Sequence, residues 1–212
     1  ADLDAAAEFA ARNSFRNCGQ VCVSTERIYA EKPIADAFAA KLAEAAKAYP
    51  SGDPTAEGTA LGAMVMREQK DLVVAQLKDA IAKGAKVVFG GESLEGNFMP
   101  ATVLTGVTHD MDIMKAETFG PLAPIVTVAD AEEAVRLANE SEYGLGAVVF
   151  GPEDKAQQVA ARIDAGMIGV NRGIHGAPGS PWAGAKHSGI GYHMGPDGHR
   201  QFCQVRTITR NA

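Results

Sequence analysis

The chain has 212 residues, 46% of them hydrophobic, with 26 acidic against 20 basic side chains and a formal net charge of −6. That length can bury a substantial core in one large domain, 1–212, and the charges are interspersed rather than gathered into the basic blocks that nucleic acid would require. No apolar run reaches the roughly 20 residues needed to cross a bilayer, the first residues lack the order of a secretory signal, and Cys18, Cys22 and Cys203 form no CxxC pair. We therefore expect a cytoplasmic protein with reduced thiols, no membrane or nucleic-acid partner and no metal site.

Residues 2–13 are alanine-rich, with Leu3, Ala6, Ala7 and Ala10 on one face, and predict a helix that runs into Phe15. A short strand follows at 26–30. Pro33 then suits the first turn of a helix that repeats Ile34, Phe38, Leu42 and Ala45, and the 50–54 turn set stops it. The spacing of Val73, Leu77, Ala80 and Ile81 predicts a helix over 67–83 capped by Gly84, with a strand at 86–89 and an extended stretch over 99–107. A strand at 124–128 leads to a helix opened by Asp130 and Glu133 in a capping-box arrangement. Next come a strand at 145–150, a helix over 152–165 with Ala156, Val159, Ala160 and Ile163 inward and Gly166 as its cap, and a strand at 167–170. Residues 172–194 read as a long irregular loop, and 204–209 as a final alternating edge strand. Short apolar strands alternating with helices predict an α/β fold: three layers, a mostly parallel sheet covered by helices on both faces, plus that C-terminal edge strand.

Open α/β sheets place ligands at the carboxyl ends of their strands, where glycine-rich loops can cradle phosphates. Neither GxGxxG nor GxxxxGK[ST] occurs, and Gly189-Ile190-Gly191 lacks the third glycine. The sharper feature is Phe15-Arg16-Asn17-Cys18-Gly19-Gln20-Val21-Cys22, a turn of small and amide-bearing residues that sets a cysteine between helix and strand. Backbone N–H groups or Arg16 would favour the thiolate there. From spacing alone the alternative stands, that Cys22 is a small buried hydrophobe, as most free cysteines are.

Phe15-x-Asn17-x-Gly19-Gln20-x-Cys22 resembles the active-site motif of the aldehyde dehydrogenase superfamily. Further matches stand in the family's order: Gly52-Asp53-Pro54, Gly84-Ala85-Lys86, Gly90-Gly91, Glu117-Thr118-Phe119-Gly120-Pro121, Asn139-x-x-x-Tyr143-Gly144-Leu145, Gly166-Met167 through Asn171, and Lys186-x-Ser188-Gly189. The resemblance covers essentially the whole chain and points to the C-terminal, thiol-bearing catalytic domain. It implies that Cys22 attacks an aldehyde, that hydride passes to NAD or NADP, and that the resulting thioester is hydrolysed to the carboxylic acid. The family's general base, one oxyanion donor and the nucleotide-binding domain lie upstream of its cysteine, where this chain has twenty-one residues. We expect a catalytic domain with the nucleotide-binding domain absent, inactive alone as a dehydrogenase, whose partners are that missing domain, a small-molecule aldehyde and, in the full enzyme, further copies of itself.

The resemblance also assigns secondary roles. Glu117 and Phe119 match residues that touch the nicotinamide ribose and ring; the alternative is a solvated corner with Phe119 in the core. Gln69 aligns with a residue near the cofactor, although an exposed first helical turn accounts for it equally well. Arg16 stands where succinate-semialdehyde members carry an arginine for the substrate carboxylate, which its planar fork suits, or it pairs structurally with an acid. Arg172 and His175 flank the expected aldehyde pocket, or are solvated loop. Asn171, at a strand end, is a family-like structural amide or a turn residue, with structure favoured. His193 replaces a glutamate proposed to relay protons, and Cys18 is a small core residue or an oxidation partner. Two other functions are open on the same residues: a cofactor-independent thiol esterase or acyl hydrolase using Cys22, and a non-catalytic oligomerisation module pairing through 204–209.

Overall fold

A computed structural model describes residues 1–174 and 178–211. The first helix, α1 (Leu3–Phe15), is capped by Asp2, whose carboxylate accepts from the Asp4 and Ala5 N–H groups at 3.1 Å each. Strand β1 (Ile28–Glu31) follows, then α2 (Ala35–Ala46), which starts two residues beyond Pro33 because Ile34 forms the cap. Helix α3 (Arg67–Ala82) ends in a turn where Gly84 adopts φ +103° and the Ala85 N–H reaches the Ala80 carbonyl. Its inward face is Val73, Leu77 and Ala80; Ile81 is 46% exposed and faces away.

Strands β2 (Lys86–Phe89), β3 (Thr102–Thr105) and β4 (Leu122–Val128) complete a four-stranded sheet in the order β1-β4-β3-β2. The β1–β4 and β3–β4 pairs are parallel, with Ile28 opposite Ile125 and Val103 opposite Ala123, and β2 runs antiparallel at the edge. Residues 122–126 of β4 are all buried without alternation, as expected for an inner strand covered on both faces. Beneath lie Phe15, Leu42, Leu61, Met99, Leu104, Met111 and Ile113, each fully buried.

The chain continues through α4 (Ala131–Asn139), β5 (Tyr143–Gly144), β6 (Gly146–Val149), α5 (Glu153–Ala160) and β7 (Met167–Val170). Asp130 accepts from the Glu133 N–H at 2.9 Å, and Glu133 accepts in return from the Ala129 N–H at 2.7 Å, one residue outside the cap. Strands β6 and β7 form a second parallel pair, joined by α5 and separate from the first sheet. The fold is α/β and mostly parallel, in two pieces.

Other expected features differ as well. Helix α5 stops at Ala160, not 165, because Asn139 captures the chain beyond it, donating to the Arg162 carbonyl at 2.8 Å and accepting from the Asp164 N–H at 2.9 Å. Gly166 is not a left-handed cap; a Cβ there would lie 2.2 Å from the Ala183 carbonyl oxygen, so close backbone approach demands glycine. Residues 204–209 form no strand: Val205 and Ile208 are 83% and 82% exposed, and no strand edge among the described residues receives them. The long loop in turn contains short ladders. Strands β8 (Trp182–Ala183) and β10 (Tyr192–His193) pair antiparallel, and β9 (Ala185–Lys186) pairs with β5.

Candidate active site

After α1 the backbone enters the left-handed region at three consecutive residues, Asn17, Cys18 and Gly19, with φ of 52°, 57° and 69°. For non-glycine residues this conformation costs about 1–2 kcal/mol each, so something must hold it. The Asn17 side chain donates to the Gln20 carbonyl at 3.0 Å, the Gln20 N–H returns to the Asn17 carbonyl at 3.1 Å, and the Gln20 side-chain oxygen accepts from the Val65 N–H at 2.9 Å. The Cys18 thiol donates to the Gly62 carbonyl at 3.0 Å. Gly19 presses on another segment: a Cβ there would sit 2.1 Å from the Gly120 carbonyl oxygen and 2.9 Å from that of Ser14.

The same turn is closed at its base. Ser14 Oγ donates to the Thr25 carbonyl at 2.8 Å, Ser24 Oγ to the Asn13 carbonyl at 2.9 Å, and the Thr25 N–H to Asn13 at 3.2 Å. Cys22 therefore stands on a loop tied at both ends, and its side chain is exposed. The buried small cysteine of the alternative reading is Cys18, 3% exposed, whose thiol pKa burial pushes up.

Cys22, Arg16 and Glu117 line one cleft of about 770 Å³ between β1 and β6, with Glu26, Tyr143 and Ser188. Arg16 Nε is buried there without a hydrogen-bond partner among the described residues. The loops carrying Cys22 and Glu117 precede β1 and β4, which are parallel, so they meet at the amino ends of those strands rather than the carboxyl ends expected from open α/β sheets. The tight Gly19–Gly120 approach explains this placement, since it brings the entry loops of the two neighbouring strands into backbone contact.

Phe119 is half-buried at φ 45°, another left-handed non-glycine residue. Gln69 Nε2 donates to the Thr118 and Phe119 carbonyls at 2.8 and 3.2 Å. Opposite, Glu26 accepts from the Thr118 N–H at 3.0 Å and the Phe119 N–H at 2.8 Å, one carboxylate oxygen to each. Burial pushes the Glu26 pKa up more than these two hydrogen bonds pull it down; the negative charge of Glu117 adds to the rise and Arg27 opposes it. Sequence reasoning took Glu26 only as the start of a strand. The one available signal was a carboxylate entering a buried strand, which needs donors from somewhere.

Arg172 is exposed and is not among the residues lining the cleft, which Gly173 and Ile174 reach instead. His175 lies outside the described residues. His193 is exposed and stacks on Trp182, with ring centroids 6.3 Å apart. Asn171, at φ 52°, exchanges two 2.9 Å hydrogen bonds with the Gly151 backbone, as a structural amide does. No helix among the described residues is long and apolar enough to cross a membrane.

The fold and the cleft together define an α/β chain that presents an exposed thiol in one cleft with an arginine and a carboxylate. The chain belongs to the aldehyde dehydrogenase family, whose model matches residues 1–208. It is 39% identical over 210 residues to the succinate-semialdehyde dehydrogenase [NADP(+)] of Deinococcus radiodurans, covering 98% of this chain and 44% of that protein. It is 37% identical over 214 residues to the succinate semialdehyde dehydrogenase [NAD(P)+] Sad of Escherichia coli, covering 100% of this chain and 46% of that one. The crystal structure of succinate-semialdehyde dehydrogenase from Burkholderia pseudomallei superposes with a TM-score of 0.88 at 42% identity, over 93% of this chain and 42% of that one. The chain thus spans less than half the length of these relatives.

Proposed function

We propose that this chain is the catalytic domain of an NAD(P)-dependent aldehyde dehydrogenase, and that its substrate is an aldehyde bearing a carboxylate. The observation that carries the reading is the single cleft shared by an exposed Cys22, Arg16 and Glu117. In this reading the Cys22 thiolate attacks the aldehyde carbon, forming a carbon–sulfur bond, and the Cys22 backbone N–H stabilises the resulting oxyanion. Arg16, which lines the cleft, binds the distal carboxylate through its guanidinium fork.

The residues present suit the nicotinamide riboside half of the cofactor. Glu117, a carboxylate in the cleft, is an acceptor for ribose hydroxyls; Phe119, two residues on, is not among the residues lining the cleft and would reach the nicotinamide only from its edge. When bound, the dinucleotide accepts the hydride that turns the thiohemiacetal into a thioester. The chain has no glycine-rich phosphate loop, so the rest of the dinucleotide and the base that activates the hydrolytic water are assigned to the part of the relatives' length that this chain does not span. Gln69, bonded to the carbonyls of residues 118 and 119, serves the cofactor side by shaping that loop.

The test uses the chain alone, because an aldehyde blocks a thiol reversibly without cofactor. Iodoacetamide near neutral pH is expected to modify Cys22 faster than Cys203 and to spare buried Cys18 in the native state. Succinate semialdehyde should slow modification of Cys22, and more strongly than propanal. In Arg16→Gln that difference should vanish. Equal labelling of the three thiols would remove Cys22 as a nucleophile, and equal slowing by both aldehydes would remove Arg16 as the carboxylate site.

A further inference from the structure

We propose that Glu26 is a positioning residue for the loop that carries Glu117 and Phe119, holding it in the backbone shape that presents Glu117 to the cleft Cys22 also lines. The proposal rests on the reading of that loop as the nicotinamide side of the site.

The loop has a reason to need holding. Phe119 sits at φ 45°, a conformation an L-residue adopts only where its surroundings impose it. Two side chains grip its backbone from opposite sides. Gln69, from α3, takes the carbonyls of Thr118 and Phe119 with one amide nitrogen, and Glu26 takes the N–H groups of the same two residues with its two oxygens. All four backbone polar groups of this dipeptide are thereby satisfied by side chains rather than by a strand or helix, and Thr118 is 1% exposed.

Glu26 is also well placed in the chain. It lies four residues after Cys22, on the segment that the Asn13, Ser14 and Ser24 hydrogen bonds tie to the end of α1. One short stretch therefore carries the thiol and, through Glu26, holds the loop whose Glu117 lines the same cleft. A second tie, the close approach of Gly19 to Gly120, joins the same two loops. The carboxylate is held here against its own preference: burial and Glu117 raise its pKa, while Arg27 and the two N–H donors lower it.

Glu26→Gln is the informative change, because one of its terminal atoms becomes a donor and must face an N–H. Hydrogen exchange followed by NMR on the full chain is expected to show the Thr118 and Phe119 amides losing protection by roughly tenfold or more, with the β4 amides unchanged. The melting temperature at neutral pH should change little, because the loss of one acceptor is offset by the removal of a buried charge. Glu26→Asp keeps the charge one methylene short and should fall between the two in exchange. It also serves if the glutamine variant fails to fold. Unchanged exchange at 118 and 119 in these variants would overturn the proposal, as would a uniform loss across all amides together with a lower melting temperature.

Titration with nicotinamide mononucleotide at millimolar concentration separates this question from the reading beneath it. The wild-type chain should show shifts at Phe119 that Glu26→Gln diminishes. A wild-type chain with no response at Phe119 would overturn the nicotinamide reading of the loop, whereas a full response in Glu26→Gln despite lost protection would overturn the positioning role alone.

Discussion

Gly19→Ala probes the contact that joins the Cys22 turn to the Glu117 loop, and its magnitude follows from two separable effects. At φ +69° an alanine incurs the left-handed penalty of about 1–2 kcal/mol. Its Cβ would also lie 2.1 Å from the Gly120 oxygen, 2.5 Å from the Gly120 carbonyl carbon and 2.9 Å from the Ser14 oxygen. These are backbone atoms that cannot rotate away, so relief requires the loops to separate, an overpacking cost of about 1–3 kcal/mol. The sum, about 2–5 kcal/mol, is a large share of a typical domain's stability and corresponds to a melting-temperature loss of roughly 4–20 °C at this chain length. Gly84→Ala is the control: φ is +103°, further from the left-handed well, but nothing lies within 4 Å of the added Cβ. Urea unfolding should therefore show Gly19→Ala losing more than Gly84→Ala, and the rate of Cys22 alkylation should change only in Gly19→Ala. Equal losses would refute the steric argument. A large loss with unchanged Cys22 reactivity would show that the contact stabilises the turn without positioning the thiol.

Phe15, fully buried and packed on Tyr49 with ring centroids 5.6 Å apart, joins α1 to the core. Phe15→Ala should cost about 3–5 kcal/mol by urea denaturation, and a change below about 1 kcal/mol would contradict its placement. Tyr29, hydrogen-bonded to His109 at 3.1 Å, has its pKa pushed up to about 12, chiefly by burial. Because the folded value exceeds the unfolded one, its contribution to stability is fully present below pH 10 and is lost as pH rises through about 12. Phenolate absorbance should show one tyrosine ionising late in the native chain, and Tyr29→Phe should both remove it and flatten the alkaline fall in stability. Retention of the late ionisation in Tyr29→Phe would assign it elsewhere.

The elements legible from the residues alone are those whose signals are local. Asp130 bonds an N–H group three residues away, so its cap can be read from spacing, and the apolar runs of β2 and β7 end where predicted because glycine or a left-handed Asn171 follows at once. The Cys22 motif was legible as well, and with it the family. What the tertiary structure alone decided lies between segments far apart in the chain. Helix α5 ends early because Asn139 captures residues beyond it; residues 204–209 alternate like a strand yet find no edge among the described residues; and Cys18 and Cys22, four residues apart, divide into a buried thiol and an exposed one. Glu26 is the sharpest case, since its two donors are more than ninety residues away. Periodicity and capping report only what a residue does within a few positions of itself. A carboxylate acquires this role only when two distant loops are pressed together, here at Gly19, whose missing side chain lets its backbone meet that of Gly120.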